Sequence, residues 1–455
     1  MKKNEKAEIL IEDMRYSNLG VGYLEGKEVK IKNALLGQVV EATLSKIKSK
    51  TAKGKVNKVV KRADYEIEAK CEHYNECGGC SRQTVPIDKQ LELKNNMVKD
   101  LFKRNEISYE EFEPIERSPI DFNYRNKMEY SFGDESFGGE LNLGMHKKGH
   151  FYDVVNTTKC TIASEDSNKI HKLVLDFARK SGKAKYHIKR HVGYYRHLSV
   201  RKGFNTGEVL VGIVTTTQEE VNFDELVKDM LNLKLDGKIV GILRIKNDGW
   251  GDVVAGDYDI LYGRDYYYEE LLNLKFKVSF YSFFQTNPLG AEVLYSVVKE
   301  YLGDAKDKKV MELFSGTGTI GQIISENAKE VFGVELINDA VQMANENAKL
   351  NNITNCHFIQ GDLFKEVDKL EFKPDTIIVD PPRYGIPNKA FKKILDFNVN
   401  EIVYVSCNPQ GLMDNLKLAI EMGYKVTKVR CIDMFPHTPH VETVAKLVRD
   451  TNVSE

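Results

Sequence analysis

The sequence predicts an α/β fold: a doubly wound parallel sheet in the carboxyl-terminal part, a small β-barrel at the amino terminus, and a mixed α/β segment between them. Three observations carry this reading. From about residue 276 onward, strand-like and helix-like runs alternate, "KKVMELF", "TIGQIISENA", "EVFGVEL", "NDAVQMANENAKLNN", "CHFIQGD", "TIIVDPP" and "EIVYVSC"; that rhythm builds parallel sheets. Residues 1–62 alternate apolar and polar positions in short runs broken by Gly, the pattern of a small barrel. A chain of 455 residues is too long for one ordinary core, so two or three domains are expected. Their edges are drawn at 1–62, 63–275 and 276–455.

Composition narrows the setting. The amino terminus, "MKKNEKAEIL", has no apolar signal region, and no run of 18 apolar residues occurs, so a cytoplasmic protein without a membrane partner is expected. The seven cysteines are odd in number and unevenly spaced, which favours metal ligation or thiol chemistry over a disulfide framework. The net charge of −1 hides a segregation: residues 1–62 carry +8 and the remainder −9. In the barrel, "KIKSKTAKGKVNKVVKR", Lys46 to Arg62, holds eight basic residues and no acid, a surface expected to meet phosphates. In the middle segment, "KAKYHIKRHVGYYRHLSVRKG", Lys183 to Gly203, interleaves seven Lys/Arg with three His and three Tyr. Cations beside flat rings suit RNA, whose backbone is anionic and whose unstacked bases seek aromatic faces; a solvated strand pair is the alternative.

The loop "ELFSGTGTIG", Glu312 to Gly321, follows an apolar strand and opens a helix, so Gly316 and Gly318 can let the backbone approach a ligand. Glu335 ends the next strand, where a carboxylate can accept both hydroxyls of a ribose, and Asp362 ends the third. Three polar groups at successive strand ends describe an adenosine pocket. No Gly-Lys-Ser/Thr follows, which disfavours ATP hydrolysis, and the third Gly of the dinucleotide fingerprint is out of register. The pattern resembles the S-adenosyl-L-methionine site of class I methyltransferases, with their Rossmann-like sheet.

In such enzymes the end of strand four faces the transferred methyl group, and those that methylate exocyclic amines usually carry Asn/Asp-Pro-Pro-Tyr or -Phe there. Here "DPPR", Asp380 to Arg383, has Arg in place of the ring, and Cys407 of "SCNP" ends the following strand. This points to a carbon acceptor. Carbon-5 of a pyrimidine is a poor nucleophile until a thiolate adds at carbon-6, so a cysteine serves as nucleophile and later as leaving group. A free thiol of pKa ~8.5 is only partly ionised at neutral pH, and the site is expected to lower it, with Arg383 one candidate helper. Glu442, in "PHTPHVETVAKL", can remove the carbon-5 proton.

"SFFQTN", "DPPR", "SCNP" and "HVE", in that order, are together similar to the signature set of RNA uracil-C5 methyltransferases, a resemblance that covers essentially the whole chain. It implies Cys407 as nucleophile, Glu442 as base, and Gln285, Phe314, Thr319, Glu335, Asp362 and Asp380 around the cofactor, with Phe283 near the target base. Asp380 is open to contact with uracil as well. Pro-Arg rather than Pro-Cys at strand four favours uracil over cytosine. The family also implies that the segment 86–124 packs with the catalytic domain.

Cys71, Cys77 and Cys80 form C-x5-C-G-G-C, and Cys160 follows. Four thiolates can saturate an iron–sulfur cubane or a zinc ion; paired C-x2-C knuckles are absent, which favours iron and sulfur. A fourth ligand closes the cluster, so a structural or RNA-positioning role is expected. The pattern resembles the ribosomal branch of the family, with a [4Fe-4S] cluster and an RNA-binding TRAM barrel, whereas the tRNA branch generally lacks both. The expected activity is formation of 5-methyluridine in 23S ribosomal RNA on a flipped uridine, by a monomer. The alternatives are the same chemistry on tRNA, or a non-catalytic RNA-binding or ribosome assembly factor. Cys356 and Cys431 are expected in cores.

Overall fold

The computed structural model describes residues 1–134, 138–361 and 373–450. Two compact units form: one gathers Met1–Ala69, Ser81–Ser118 and the chain from Val379, the other Lys70–Cys80 and Pro119–Ile378. Asp362 lies outside the described residues.

The first unit begins with strands β1 (Lys6–Leu10), β2 (Asp13–Arg15), β3 (Leu19–Leu24), β4 (Lys27–Lys32), β5 (Val39–Ile47) and β6 (Thr51–Lys61), arranged in the order β1-β5-β6-β4-β3-β2. Gly22 permits the curl: a Cβ there would stand 2.1 Å from the Leu10 carbonyl oxygen, so only glycine lets β3 run against β1. Inward-facing Ile9, Val29, Ile31, Val40, Ala42 and Leu44 fill the barrel, joined by Leu93 and Met97 of helix α1 (Ile87–Arg104). Lys53 and Lys55 of the basic run point to solvent on β6. A short strand β7 (Glu111–Phe112) follows α1.

In the second unit, β8 (Lys127–Asp134), β9 (Leu141–Lys147), β10 (His150–Asn156), β11 (Tyr195–Lys202), β12 (Glu208–Thr215), β13 (Lys238–Lys246) and β14 (Asp257–Gly263) make one sheet, ordered β10-β9-β8-β11-β12-β13-β14. Helices α2 (Glu165–Lys180) and α3 (Asp224–Leu231) cover it through Ile170, Val174, Leu226 and Met230. β12 and β13 are parallel because α3 carries the chain back between them. The hairpin β15 (Tyr266–Leu271) and β16 (Leu274–Ser279) leads to α4 (Pro288–Leu302), whose first turn is capped by Asn287 accepting from the Gly290 amide at 3.0 Å. Then β17 (Ala305–Leu313), α5 (Thr319–Ile324), β18 (Ala328–Glu335), α6 (Asn338–Leu350) and β19 (Cys356–Gln360) wind a parallel β17-β18-β19 array.

The chain re-enters the first unit through β20 (Thr376–Val379), followed by α7 (Asn388–Leu395), β21 (Glu401–Ser406), α8 (Pro409–Glu421), β22 (Tyr424–Ile432) and β23 (Glu442–Arg449). β23 runs antiparallel to both β21 and β22, so the expected all-parallel pattern does not extend to the last strands. The connection from Ile432 to Glu442 holds no helix, and a link without a crossover returns a strand antiparallel.

That connection is clamped by α1. Fully buried Lys94 donates to Asp433 Oδ1 at 2.5 Å and to the Phe435 carbonyl at 3.0 Å, and Gln90 Oε1 accepts from the His437 amide at 2.8 Å. A lysine and a glutamine on the core-facing side of α1 break its apolar stripe because the loop they hold carries polar backbone into the interior. Lys94→Met strands the Asp433 carboxylate without its cation and is expected to cost about 3–5 kcal/mol by urea unfolding, whereas Lys94→Met with Asp433→Leu recovers most of it. Among the described residues no helix is long and apolar enough to cross a membrane.

Candidate active site

Cys407 follows β21 directly and Pro409 opens α8, so the thiol sits at the carboxyl edge of a buried strand. Ser406 pairs with Thr443 at the end of the antiparallel β21–β23 ladder, and Cys407 and Glu442 are the residues that adjoin that pair. Glu442 is 4 % exposed. The Asn408 side chain donates to the Arg383 carbonyl at 3.0 Å, tying the "DPPR" turn to the "SCNP" turn. Tyr404 donates to Asn415 at 2.8 Å, and Asn415 donates in turn to the Ile386 carbonyl at 2.9 Å. Cys407, Glu442, Asp380 and Arg383 thus form one electrostatic cluster within the first unit.

Its charges act against ionisation. Burial pushes the Asp380 carboxyl up to about 7. Burial, then the Asp380 charge, pushes Glu442 up to about 8, with Arg383 opposing. The Cys407 thiol is pushed up to about 12 by burial and by Glu442 and Asp380, again against Arg383. The expected lowering of this thiol is therefore not met: Arg383 acts in the expected direction but is itself exposed, and two carboxylates and desolvation outweigh it.

A carboxyl whose pKa is raised by folding keeps a proton that the unfolded chain has lost. Glu442 therefore contributes no penalty below about pH 4.5 and destabilises increasingly as pH climbs toward 8. Glu442→Gln is expected to melt close to the wild type near pH 5 and several degrees above it at pH 8, read by thermal scans at both pH values.

In the second unit, the glycine loop between β17 and α5 turns through Phe314, Gly316 and Gly318, at φ values of 64°, 53° and 71°. Phe314 is a bulky residue in the left-handed region, a conformation that persists only where surroundings impose it and that clusters at ligand sites. At Gly318 a Cβ would stand 2.5 Å from the Phe358 ring. Glu335 Oε2 accepts from the Gly316 amide at 3.0 Å and Oε1 from the Ile337 amide at 2.9 Å, which fixes its carboxylate at the loop. Thr319 is buried as the first residue of α5. Gln285 is partly buried in a segment held by Asn126, which donates to the Gln285 carbonyl at 3.2 Å, and by Arg201, which donates to the Ser282 carbonyl at 2.8 Å. Phe283 beside it is 73 % exposed.

The basic segment from Lys183 to Gly203 divides in two. Arg196 and Arg201 are each 3 % exposed on β11, and Lys202 pairs with Asp166 at 2.7 Å, so these cations are structural and not offered to solvent. Alternation cannot reveal this, because β11 is central and buried on both faces. Lys189 and Arg190 are exposed.

Cys71, Cys77, Cys80 and Cys160 lie in the same unit, all partly buried. They share one neighbourhood: Cys71 and Cys77 both act on Cys160, and Cys71, Cys77 and Cys80 all act on Lys148. The Gly79 amide donates to Cys77 Sγ at 3.4 Å. Among the described residues, no three His, Cys, Asp or Glu side chains stand close enough to hold a metal ion in common. Cys356 and Cys431 are buried, as expected of core residues.

Comparison with known proteins settles the family. The description tRNA (uracil-5-)-methyltransferase matches residues 87–450, and the TRAM domain matches residues 2–56. The chain belongs to the tRNA (uracil-5-)-methyltransferase family. It is 47 % identical over 450 residues to an RNA methyltransferase of Clostridium tetani, covering 99 % of each chain, and 48 % identical over 450 residues to one of Clostridium acetobutylicum, with the same coverage. Its fold is similar to that of Pyrococcus abyssi tRNA (uracil-54, C5)-methyltransferase in complex with S-adenosyl-L-homocysteine, at a TM-score of 0.76 and 26 % identity, covering 97 % of this chain and 100 % of that one. It is thus an RNA methyltransferase with a class I methyltransferase fold and an amino-terminal TRAM domain.

One member of this methyltransferase's cluster left no mark in the sequence. Tyr16, on the turn between β2 and β3 of the TRAM domain, has its phenol raised by burial and then by the charges of Cys407 and Glu442. Ser17 and Asn18 after it take φ of 68° and 58°, and Asn18 accepts from buried Arg82 at 3.2 Å, so the turn is anchored. A lone tyrosine in a barrel turn has no motif.

Proposed function

We propose that this methyltransferase uses S-adenosyl-L-methionine to methylate carbon-5 of a uridine in 23S ribosomal RNA. The observation that carries the methyl-transfer reading is a thiol, Cys407, in one electrostatic cluster with a buried carboxyl of raised pKa, Glu442. The residues present fit the cofactor: a glycine loop with left-handed turns, Phe314 held in the left-handed region, and the Glu335 carboxylate, a group able to accept from ribose hydroxyls, fixed at the loop by the Gly316 and Ile337 amides. Within the second unit, Gln285, Phe314, Thr319 and Glu335 would hold it. When bound, it supplies an electrophilic methyl group.

Cys407 sulfur adds to carbon-6 of the flipped base, which makes carbon-5 nucleophilic. After carbon-5 has taken up the methyl group, the Glu442 carboxylate removes the carbon-5 proton, the carbon-5–carbon-6 double bond re-forms, and the thiolate leaves. A carboxyl poised at about 8 suits this task, because it is a stronger base than an ordinary glutamate. The thiol, held neutral at rest, passes its proton to the carbon-4 oxygen of the base as the sulfur adds, and that enol proton is released to solvent as carbon-5 takes up the methyl group, which keeps the thiol unreactive when no base is bound.

The exposed Lys53 and Lys55 of the TRAM domain supply cations to flanking phosphates. Affinity for RNA is therefore expected to fall linearly in a log–log plot against salt; a flat response removes the electrostatic part of this reading. For the cysteines we propose a [4Fe-4S] cluster on Cys71, Cys77, Cys80 and Cys160, supported by their spacing and common neighbourhood. Binding it would draw the sulfurs closer than they stand here. Anaerobic purification is expected to give brown protein with about four irons per chain; colourless protein with one zinc overturns the assignment.

A second reading, methylation of tRNA, is favoured by the likeness to the Pyrococcus abyssi enzyme. Tritium release from 5-tritiated uridine, in 23S fragments and in tRNA side by side, decides between them. Cofactor-dependent release from 23S RNA alone supports the ribosomal reading, and release from tRNA alone replaces it.

A further inference from the structure

Within the second unit, a cavity of about 280 Å³ opens between β8, β9 and the segment before β11, and neither the methyl-transfer chemistry nor the cysteine set uses it. Its walls include Phe132, Tyr152, Tyr186, Lys189, His146 and Asp252. We propose that this cavity is a second nucleotide site, which takes one unstacked base bearing an exocyclic amine from the RNA substrate, away from the uridine that is methylated; this rests on the RNA reading above.

The walls are built for such a guest. Tyr152 is 55 % exposed and carries the Lys189 ammonium 4.6 Å from its ring centroid, which pairs a stacking face with a cation for the attached phosphate. The buried Tyr186 ring is backed by the Arg196 guanidinium at 4.3 Å. Inside, Asp252 Oδ1 lies 3.2 Å from His197 Nε2 and Oδ2 lies 3.8 Å from His146 Nε2, and the neighbouring His197 lowers the Asp252 pKa, so an ionised acceptor faces the cavity. A carboxylate accepts from the amino group of cytosine or adenine, whereas uracil meets it with carbonyl oxygens along most of its edge.

The rim is equally prepared. Trp250 is 75 % exposed, yet its ring centroid lies 3.5 Å from that of His191, whose Nδ1 is 2.8 Å from the Tyr186 hydroxyl. Its loop is not loose: Arg196 donates to the Asn247 and Gly249 carbonyls, each at 2.7 Å, and also to the Gly251 carbonyl. An exposed indole on a pinned loop beside a cavity of stacking rings is a preformed platform for a base.

Trp250 is the sole tryptophan of the chain, so its fluorescence reports this rim alone. The full-length protein is titrated with the pentanucleotides C5, A5 and U5. Saturable quenching is expected, with C5 or A5 bound about tenfold more tightly than U5. Asp252→Asn, nearly isosteric, is expected to erase the preference, and the surface change Lys189→Ala to weaken all three alike. No quenching, or equal affinities unchanged by Asp252→Asn, overturns the proposal and leaves Asp252 as a packing partner of the histidines. Tritium release measured on the same preparation separates the two readings. Release without base preference defeats the pocket only; base-selective quenching without release from 23S RNA or tRNA defeats uracil methylation and leaves the pocket standing.

Discussion

Cys407→Ala is expected to reduce tritium release from 5-tritiated uridine by about a millionfold, in effect to background, because the proposed mechanism without its covalent nucleophile has no alternative route to an activated carbon-5. S-adenosyl-L-methionine affinity, measured by calorimetry, is expected to stay within about twofold of the wild type, since the thiol acts on the base and a twofold change is under 0.5 kcal/mol. The substitution also removes a partly buried thiol held neutral by its surroundings, so stability is expected to change little. Release that survives in this variant would return Cys407 to the status of a strand-end packing residue.

Glu442→Gln is expected to arrest the reaction after methylation. The glutamine retains shape and hydrogen bonding but cannot take the carbon-5 proton, so turnover falls by about 10²–10⁴-fold and the covalent RNA–protein adduct accumulates as a slow band on a denaturing gel. The pH profile of the wild-type enzyme carries the same information with a definite sign. With Glu442 raised to about 8, the fraction of active carboxylate grows as pH rises, and the rate should climb through neutrality to a plateau above pH 8. A profile flat from pH 6 to 9, together with no trapped adduct, assigns proton removal to another group.

Much of this was legible along the chain, for a physical reason. A strand end, a tight turn and a helix start lie within a few residues of one another. "ELFSGTGTIG" therefore reads as a loop that needs glycine, and Gly316 and Gly318 adopt the left-handed conformations that make it so. Cys407 and Pro409 likewise declare the end of one strand and the first turn of the next helix. The basic character of β6 could be read because Lys53, Lys55, Lys58 and Lys61 crowd one short run and stand exposed along it.

What failed to be legible shares a cause as well. The charges of Arg196 and Arg201 look like a nucleic-acid surface until a central strand buries them, and burial on both faces leaves no period to read. The sign of the Cys407 shift depended on how much water and how many carboxylates surround it, which no local pattern records. Lys94 and Asp433 are separated by more than three hundred residues and meet only because α1 packs against the connection before β23.

Residue identity and local spacing thus determined which groups this methyltransferase can bring to bear: a thiol, a carboxylate, a glycine loop and a cysteine set. These depend on covalent chemistry and on backbone conformations settled within a few residues. Only the tertiary structure decided their state: it set Glu442 near Cys407, brought Tyr16 to them from the far end of the chain, and raised all three toward their protonated forms. Proximity between distant segments and removal of water are properties of the packed chain, and ionisation answers to both.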